Sequence, residues 1–151
     1  MTSSEAAPSC PAPAVTSQRR GGVSTHVLDT SRGRPASGLH VTLECSGIVV
    51  YANMTPWYGY RVPGCDLWLG PNPTFLRVTN EDGRCTGLLK GAEPRAGLHR
   101  LHFDTAPYWE TCGLQSFYPY VEVVFTVSGP GLHLHVPLLL SPYSYCTYRG
   151  T

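Results

Sequence analysis

Two histidines stand two residues apart in LHLHV, His133 and His135, and a third, His26, lies in STHVLD more than a hundred positions earlier. In an extended segment residues i and i+2 project to one face, so the two imidazoles aim together while Leu132, Leu134 and Val136 turn to the other side. Two chemistries fit. A metal ion could take the HxH pair with His26 as the natural third ligand. The same imidazoles could instead move protons near neutral pH without a metal, given a cation or hydroxyl to hold a developing oxyanion. Arg84, which ends NEDGR, and Arg149, in YRGT, are cations that could serve, and Tyr148 and Thr151 carry hydroxyls. The bland reading is that such histidines are solvated at strand edges and such arginines face water from turns; spacing alone does not choose.

Other chemistries fall away. Ser24 and Thr25 have no GxSxG elbow around them, and no glycine-rich loop follows a strand in phosphate-cradling form. Asp29, three residues beyond His26, projects to the opposite side of an extended strand and does not form a dyad with it. Cys10, Cys45, Cys65, Cys85, Cys112 and Cys146 contain no CxxC pair, against a zinc knuckle or a thioredoxin-like site. Without an apolar signal-like run at the amino end, they read as free thiols in a reducing compartment. The 151 residues carry a formal charge of +1, 11 Lys+Arg against 10 Asp+Glu, and no basic stripe. Nucleic acid and membrane are therefore not expected as partners, and neutral, modest-sized partners or a small substrate remain.

The elements that must position these residues are short strands. Residues 1–21 are rich in Ser, Ala and Pro and read as a disordered leader, so one domain is expected over 22–151. VSTHVLD (23–29) gives a first strand, and LHVTLEC (39–45) alternates Leu39, Val41 and Leu43 against His40, Thr42 and Glu44. FLRVT (75–79), TGLLK (86–90), GLHRLHF (97–103), YVEVVFTV (120–127), LHLHVPLLL (132–140) and YSYCTY (143–148) supply the rest. SGPG between the two long runs predicts a hairpin. DTAPYWETCG (104–113) is the one plausible helix, capped by Asp104 or Thr105 and stopped by Gly113. The stretch at 46–73 has no lasting periodicity and reads as an irregular insertion, with a short strand at IVVY. The fold class predicted is all-β, a sandwich with one short helix.

Three stretches together, STHVLDTSRGRPASGL (24–39), TNEDGR (79–84) and HVPLLLSPYSYCTYRGT (135–151), resemble the 5-hydroxyisourate hydrolases of urate breakdown, the enzyme branch of the transthyretin-like family. FDTAPYWETCGLQSFYPYVEVVF (103–125) is similar to that family too, so the resemblance covers most of 23–151. Transthyretin itself, the hormone carrier, shares LLSPYSY. The carrier branch has lysine where His26 stands and an acidic residue where Arg84 stands, and it has lost both the histidine at 135 and the YRG ending. A small-ligand carrier is thus the alternative, and all four positions favour the enzyme.

The resemblance implies a transthyretin-like β-sandwich of two four-stranded sheets and a homotetramer with active sites at the dimer–dimer interface. It implies no metal and no cofactor, and a substrate, 5-hydroxyisourate, that water opens to 2-oxo-4-hydroxy-4-carboxy-5-ureidoimidazoline. It assigns catalysis to His26, Arg84 and His135, and substrate binding to Tyr148, Arg149, Gly150 and Thr151, with Thr151 where the family ends in serine. His133 has no matching role. The family's vertebrate members imply a peroxisome, with cytoplasm the alternative because the chain ends in RGT and not SKL. His26 and Arg84 lie 58 positions apart. This spacing is longer than is usual in the family, and the surplus at 46–73 is a length that a surface loop absorbs at small entropic cost.

Overall fold

The computed structural model describes residues 21–46 and 74–151. The expected leader, apart from Gly21, and the expected insertion beyond Ser46, with its IVVY strand, lie outside the described residues. In chain order the elements are β1 (Gly22–Asp29), β2 (Arg34–Pro35), β3 (His40–Ser46), β4 (Thr74–Val78), β5 (Arg84–Cys85), β6 (Gly97–Asp104), α1 (Thr105–Thr111), β7 (Val121–Val127), β8 (His133–His135), β9 (Leu138–Ser141) and β10 (Ser144–Thr147).

Two sheets form. One runs β4-β3-β6-β7, antiparallel throughout. The other is built around β1. On one edge β1 pairs in parallel with β8 (Gly22 to Ser24 opposite His133 to His135) and then with β9 (Val27 to Asp29 opposite Leu138 to Leu140). On its other edge it pairs antiparallel with β5 and β2, and β10 folds back on β9. Because β8 and β9 follow one line and β5 and β2 another, the six segments occupy four strand positions. The line breaks at Val136-Pro137, where proline has no N–H to give a ladder. Side chains cover that break: the Thr25 hydroxyl donates to the Val136 carbonyl at 2.6 Å and the Thr147 hydroxyl to the Pro137 carbonyl at 2.8 Å.

Alternation explains which faces meet. Val23, Thr25, Val27 and Asp29 of β1 turn inward, as do Val41 and Leu43 of β3 and Leu101 and Phe103 of β6, and all are buried. Each fully buried aliphatic or aromatic side chain of this kind contributes about 1.5–3 kcal/mol. The ion pairs on the outer face of the β4-β3-β6-β7 sheet, Arg100 with Glu44 at 2.7 Å and with Glu122 at 3.0 Å, are partly solvated and contribute about 1 kcal/mol or less each. The core, not the surface charge, holds the sheets together.

Helix α1 is too short to persist alone. Tyr108 and Trp109 bury its inner side, the Ala106 N–H donates to the Pro119 carbonyl at 2.9 Å, and Gly113 ends it in the left-handed region at φ 68°. Asp104 occupies the N-cap position but makes no side-chain capping bond, and the Thr105 hydroxyl donates instead to the Tyr118 carbonyl.

Two expectations are corrected. TGLLK is a turn and not a strand: Gly87, Lys90 and Gly91 all have positive φ, and the consecutive Leu88 and Leu89 are both buried, which a strand cannot arrange against one core. SGPG does not close a hairpin either. Among the described residues β7 pairs only with β6 and β8 with β1, so this turn carries the chain from one sheet to the other.

Candidate active site

The outward face of β1 carries Ser24 and His26, two residues apart. Strand pairing then sets their neighbours. His26 is in register with Arg84 across β1 and β5, and Ser24 with His135 across β1 and β8. Ser24 Oγ lies 2.9 Å from His135 Nδ1 and 3.4 Å from His133 Nε2, and these two rings leave Ser24 only 4% exposed although it faces away from the core. A cleft of ≈ 350 Å³ is lined by Ser24, Arg84, Thr86, His133, His135 and Thr151 among others. His133 and His135 do share a face, as the alternation implies. Among the described residues no three His, Cys, Asp or Glu side chains come together as a metal-ligand set.

The carboxyl-terminal residues are tied to the same histidine. The Gly150 N–H donates to the His135 carbonyl at 2.8 Å, an isolated bridge beyond the last strand. A Cβ at Gly150 would stand 2.6 Å from His135 Cδ2, so only glycine lets the tail lie against the imidazole. Thr151 reaches the cleft, whereas Tyr148 and Arg149 line a neighbouring, more apolar hollow of ≈ 270 Å³ with Val123, Phe125 and Leu134. His135 alone of the candidate residues borders both. Within one chain, then, His26, Arg84, His135, Gly150 and Thr151 gather, and Tyr148 and Arg149 stand to one side.

Burial pushes the His135 imidazole below its ordinary pKa of 6.5, and the nearby Arg84, His26 and His133 add to the shift by disfavouring a further positive charge. At neutral pH the ring is therefore uncharged, the form that can accept a proton.

Asp29 is on the inward face, away from His26. Burial alone would raise its carboxyl, but bonds from the Ser31 hydroxyl, the Arg32 side chain, Tyr108 and the Arg32 backbone outweigh burial and hold it below the ordinary carboxylate value. Arg32 Nε donates to Asp29 Oδ2 at 2.6 Å and the Tyr108 hydroxyl donates to the same oxygen at 2.9 Å. This cluster fastens α1 to the end of β1 and is remote from the histidines in role. Cys45, Cys85, Cys112 and Cys146 are unpaired thiols.

Ser24 and Thr86 are the site residues that motif reasoning passes over. Parity was the available signal for Ser24, which is two before His26 on β1 and so shares its face, whereas Thr86 lies beyond β5, where alternation gives no signal.

Residues 23–150 match the model of the HIUase/Transthyretin family. The chain is 44% identical over 129 residues to the 5-hydroxyisourate hydrolase of Mus musculus, covering 85% of this chain and 94% of that one. It is 36% identical over 139 residues to the 5-hydroxyisourate hydrolase of Pseudomonas aeruginosa, covering 89% and 94%. Among solved structures, Klebsiella pneumoniae 5-hydroxyisourate hydrolase superposes with a TM-score of 0.63 at 28% identity, over 87% of this chain and 100% of that one. Sea bream transthyretin in complex with thyroxine gives 0.60 at 25%, over 85% and 94%. With a family match that runs from the first strand to the glycine beside His135 and relatives of this identity and coverage, this chain belongs to the HIUase/Transthyretin family.

Proposed function

We propose that this chain hydrolyses 5-hydroxyisourate, opening a cyclic amide with water. The observation that carries the reading is an uncharged His135 imidazole in one cleft with the Arg84 guanidinium and the hydroxyls of Ser24, Thr86 and Thr151. His135 takes a proton from water as the water attacks the ring carbonyl. Arg84 offsets the negative charge that gathers on the oxygens, a planar guanidinium suiting a flat amide edge better than an ammonium. His26, in register with Arg84, positions the water or returns a proton to the departing ring nitrogen. Gly150 and Thr151 wall the cleft beside His135, and Tyr148 and Arg149 are assigned to substrate binding from the neighbouring hollow.

We also propose a homotetramer with sites where dimers meet. Exposed Phe117, Tyr143, Tyr145 and Tyr148 support it, because so many large aromatics left in water suit a covered face. The compartment proposed from the resemblance is the peroxisome, with cytoplasm the alternative.

The test generates 5-hydroxyisourate in situ with a urate oxidase and follows its ultraviolet decay with and without the protein. Acceleration is expected, falling about 10²–10⁴-fold on His135→Ala and about 10²–10³-fold on Arg84→Gln. Binding of substrate analogues without acceleration would replace this reading with that of a small-ligand carrier.

A further inference from the structure

We propose that Ser24 and His133 together form a positioning relay that fixes the tautomer of His135, leaving its Nε2 as the lone-pair-bearing base. This inference rests on the hydrolase reading for its kinetic consequence, but not for the tautomer itself.

The geometry leaves few choices. A serine hydroxyl has one proton, so Ser24 can donate to only one of the two ring nitrogens near it and must accept from the other. If it donates to His135 Nδ1, the uncharged His135 keeps its proton on Nε2 and presents a donor, useless for taking a proton from water. If it donates to His133 Nε2, it accepts from His135 Nδ1–H, and His135 Nε2 is free. The 2.9 Å separation to His135 is the usual length for an N–H donating to oxygen, while the looser 3.4 Å contact lets the hydroxyl proton turn toward His133. No proton is gained or lost in this arrangement: His133 holds its own on Nδ1, Ser24 its own on Oγ, and His135 its own on Nδ1.

The fold holds the relay in place. Gly22 to Ser24 and His133 to His135 are paired residue for residue, and the Val136 N–H donates to the Ser24 carbonyl at 2.9 Å, so the serine cannot drift from the rings. With Ser24 only 4% exposed, its hydroxyl is left to the two rings and not to bulk water. The relay also gives work to His133, which the family resemblance leaves without a role. Ser24 and His133 are positioning residues; neither is asked to touch substrate.

Two measurements test it. Nitrogen-15 NMR of the ring nitrogens in the unaltered protein above pH 7 is expected to show His135 protonated on Nδ1, and a ring protonated on Nε2 overturns the proposal whatever the enzyme activity. Kinetics then compare Ser24→Thr, which keeps the hydroxyl, with Ser24→Val, which has the same shape without it. Ser24→Val is expected to lower kcat by roughly 10- to 100-fold with little change in KM, a loss of alignment and not of affinity. Ser24→Thr is expected to recover most of that loss, and His133→Gln, whose carbonyl oxygen still accepts from Ser24, to fall less than His133→Lys, which cannot accept. Equal activity of the Thr and Val variants overturns the proposal. Absence of 5-hydroxyisourate turnover in the unaltered protein would overturn the hydrolase reading instead, and the NMR result would still decide the tautomer.

Discussion

Gly150→Ala puts the pressure of a single methyl group on the proposed base. In the structure that methyl carbon stands 2.6 Å from His135 Cδ2 and 3.2 Å from both Cβ and Cγ of the same side chain. Carbon atoms rest at about 3.5–4.0 Å, so ring and tail must separate by about 1 Å. The Gly150 N–H to His135 carbonyl bond resists lifting of the tail, and the imidazole gives way by turning off Ser24. A misplacement of about 1 Å costs on the order of 100-fold in rate, or about 2.7 kcal/mol of barrier. The assay is decay of 5-hydroxyisourate generated in situ, read as kcat and KM, beside a thermal melt. The melt is expected to stay nearly unchanged because the tail lies outside the core. Gly129→Ala is the control, since a Cβ there meets nothing within 4 Å and the backbone is not in the left-handed region. Gly150→Ala activity within about threefold of the unaltered protein would refute the reasoning, because an effect that small is no more than ordinary surface substitutions give.

Acid should act through the same ring. The neutral imidazole is the working form and its folded pKa is lowered, so kcat/KM is expected to hold from pH 8 past 6.5 and to fall only through the lower folded value. Arg84→Gln removes one of the cations that depress it, and the acid limb of the residual activity should move to higher pH. The buried His99, also held below 6.5 by burial against a smaller opposing effect of the Gly97 carbonyl, adds a stability consequence. Unfolded histidines bind protons below about 6.5 while these folded ones do not. Urea midpoints should therefore decline as pH drops from 6.5 toward the folded values. Tyr108→Phe removes the hydroxyl that donates to Asp29 at 2.9 Å and accepts from Arg32 at 2.7 Å. Unfolding in urea should show a loss of about 1.5–3 kcal/mol, the range for bonds to charged groups, with turnover unaffected.

The strands with one buried face were legible. Leu39, Val41 and Leu43 alternate because one side of β3 meets the core, and that side is visible in the residues themselves. TGLLK misleads because the pattern of apolar residues carries no record of the positive φ at Gly87 and Lys90. SGPG misleads for another reason: turn chemistry shows that the chain reverses, not which sheet receives it. For the proposed site, His26, Arg84 and His135 were nominated by family resemblance alone, while their juxtaposition depends on strand register across 58 and 109 positions, which no local pattern contains. Ser24 was legible by parity with His26, but a search for nucleophile motifs discards a serine whose place is beside His135. The separation of Tyr148 and Arg149 from Thr151 is a matter of how the tail crosses His135, and a run of four residues does not disclose it.

The central place of β1 has a consequence for how the molecule is made. Its parallel partners, β8 and β9, lie more than a hundred residues further on, Ser24 and His135 being 111 positions apart. A ribosome adding about 5–20 residues per second needs on the order of ten seconds between making the two. Throughout that time β1 has one edge with no partner, and an open strand edge invites pairing with other nascent chains. The opposite sheet faces a shorter wait, since β3, β4, β6 and β7 are complete by residue 127. Synthesis from one end therefore delivers the scaffold first and the histidine-lined cleft last, so a chain interrupted before residue 133 would emerge with half a sandwich and none of its paired imidazoles.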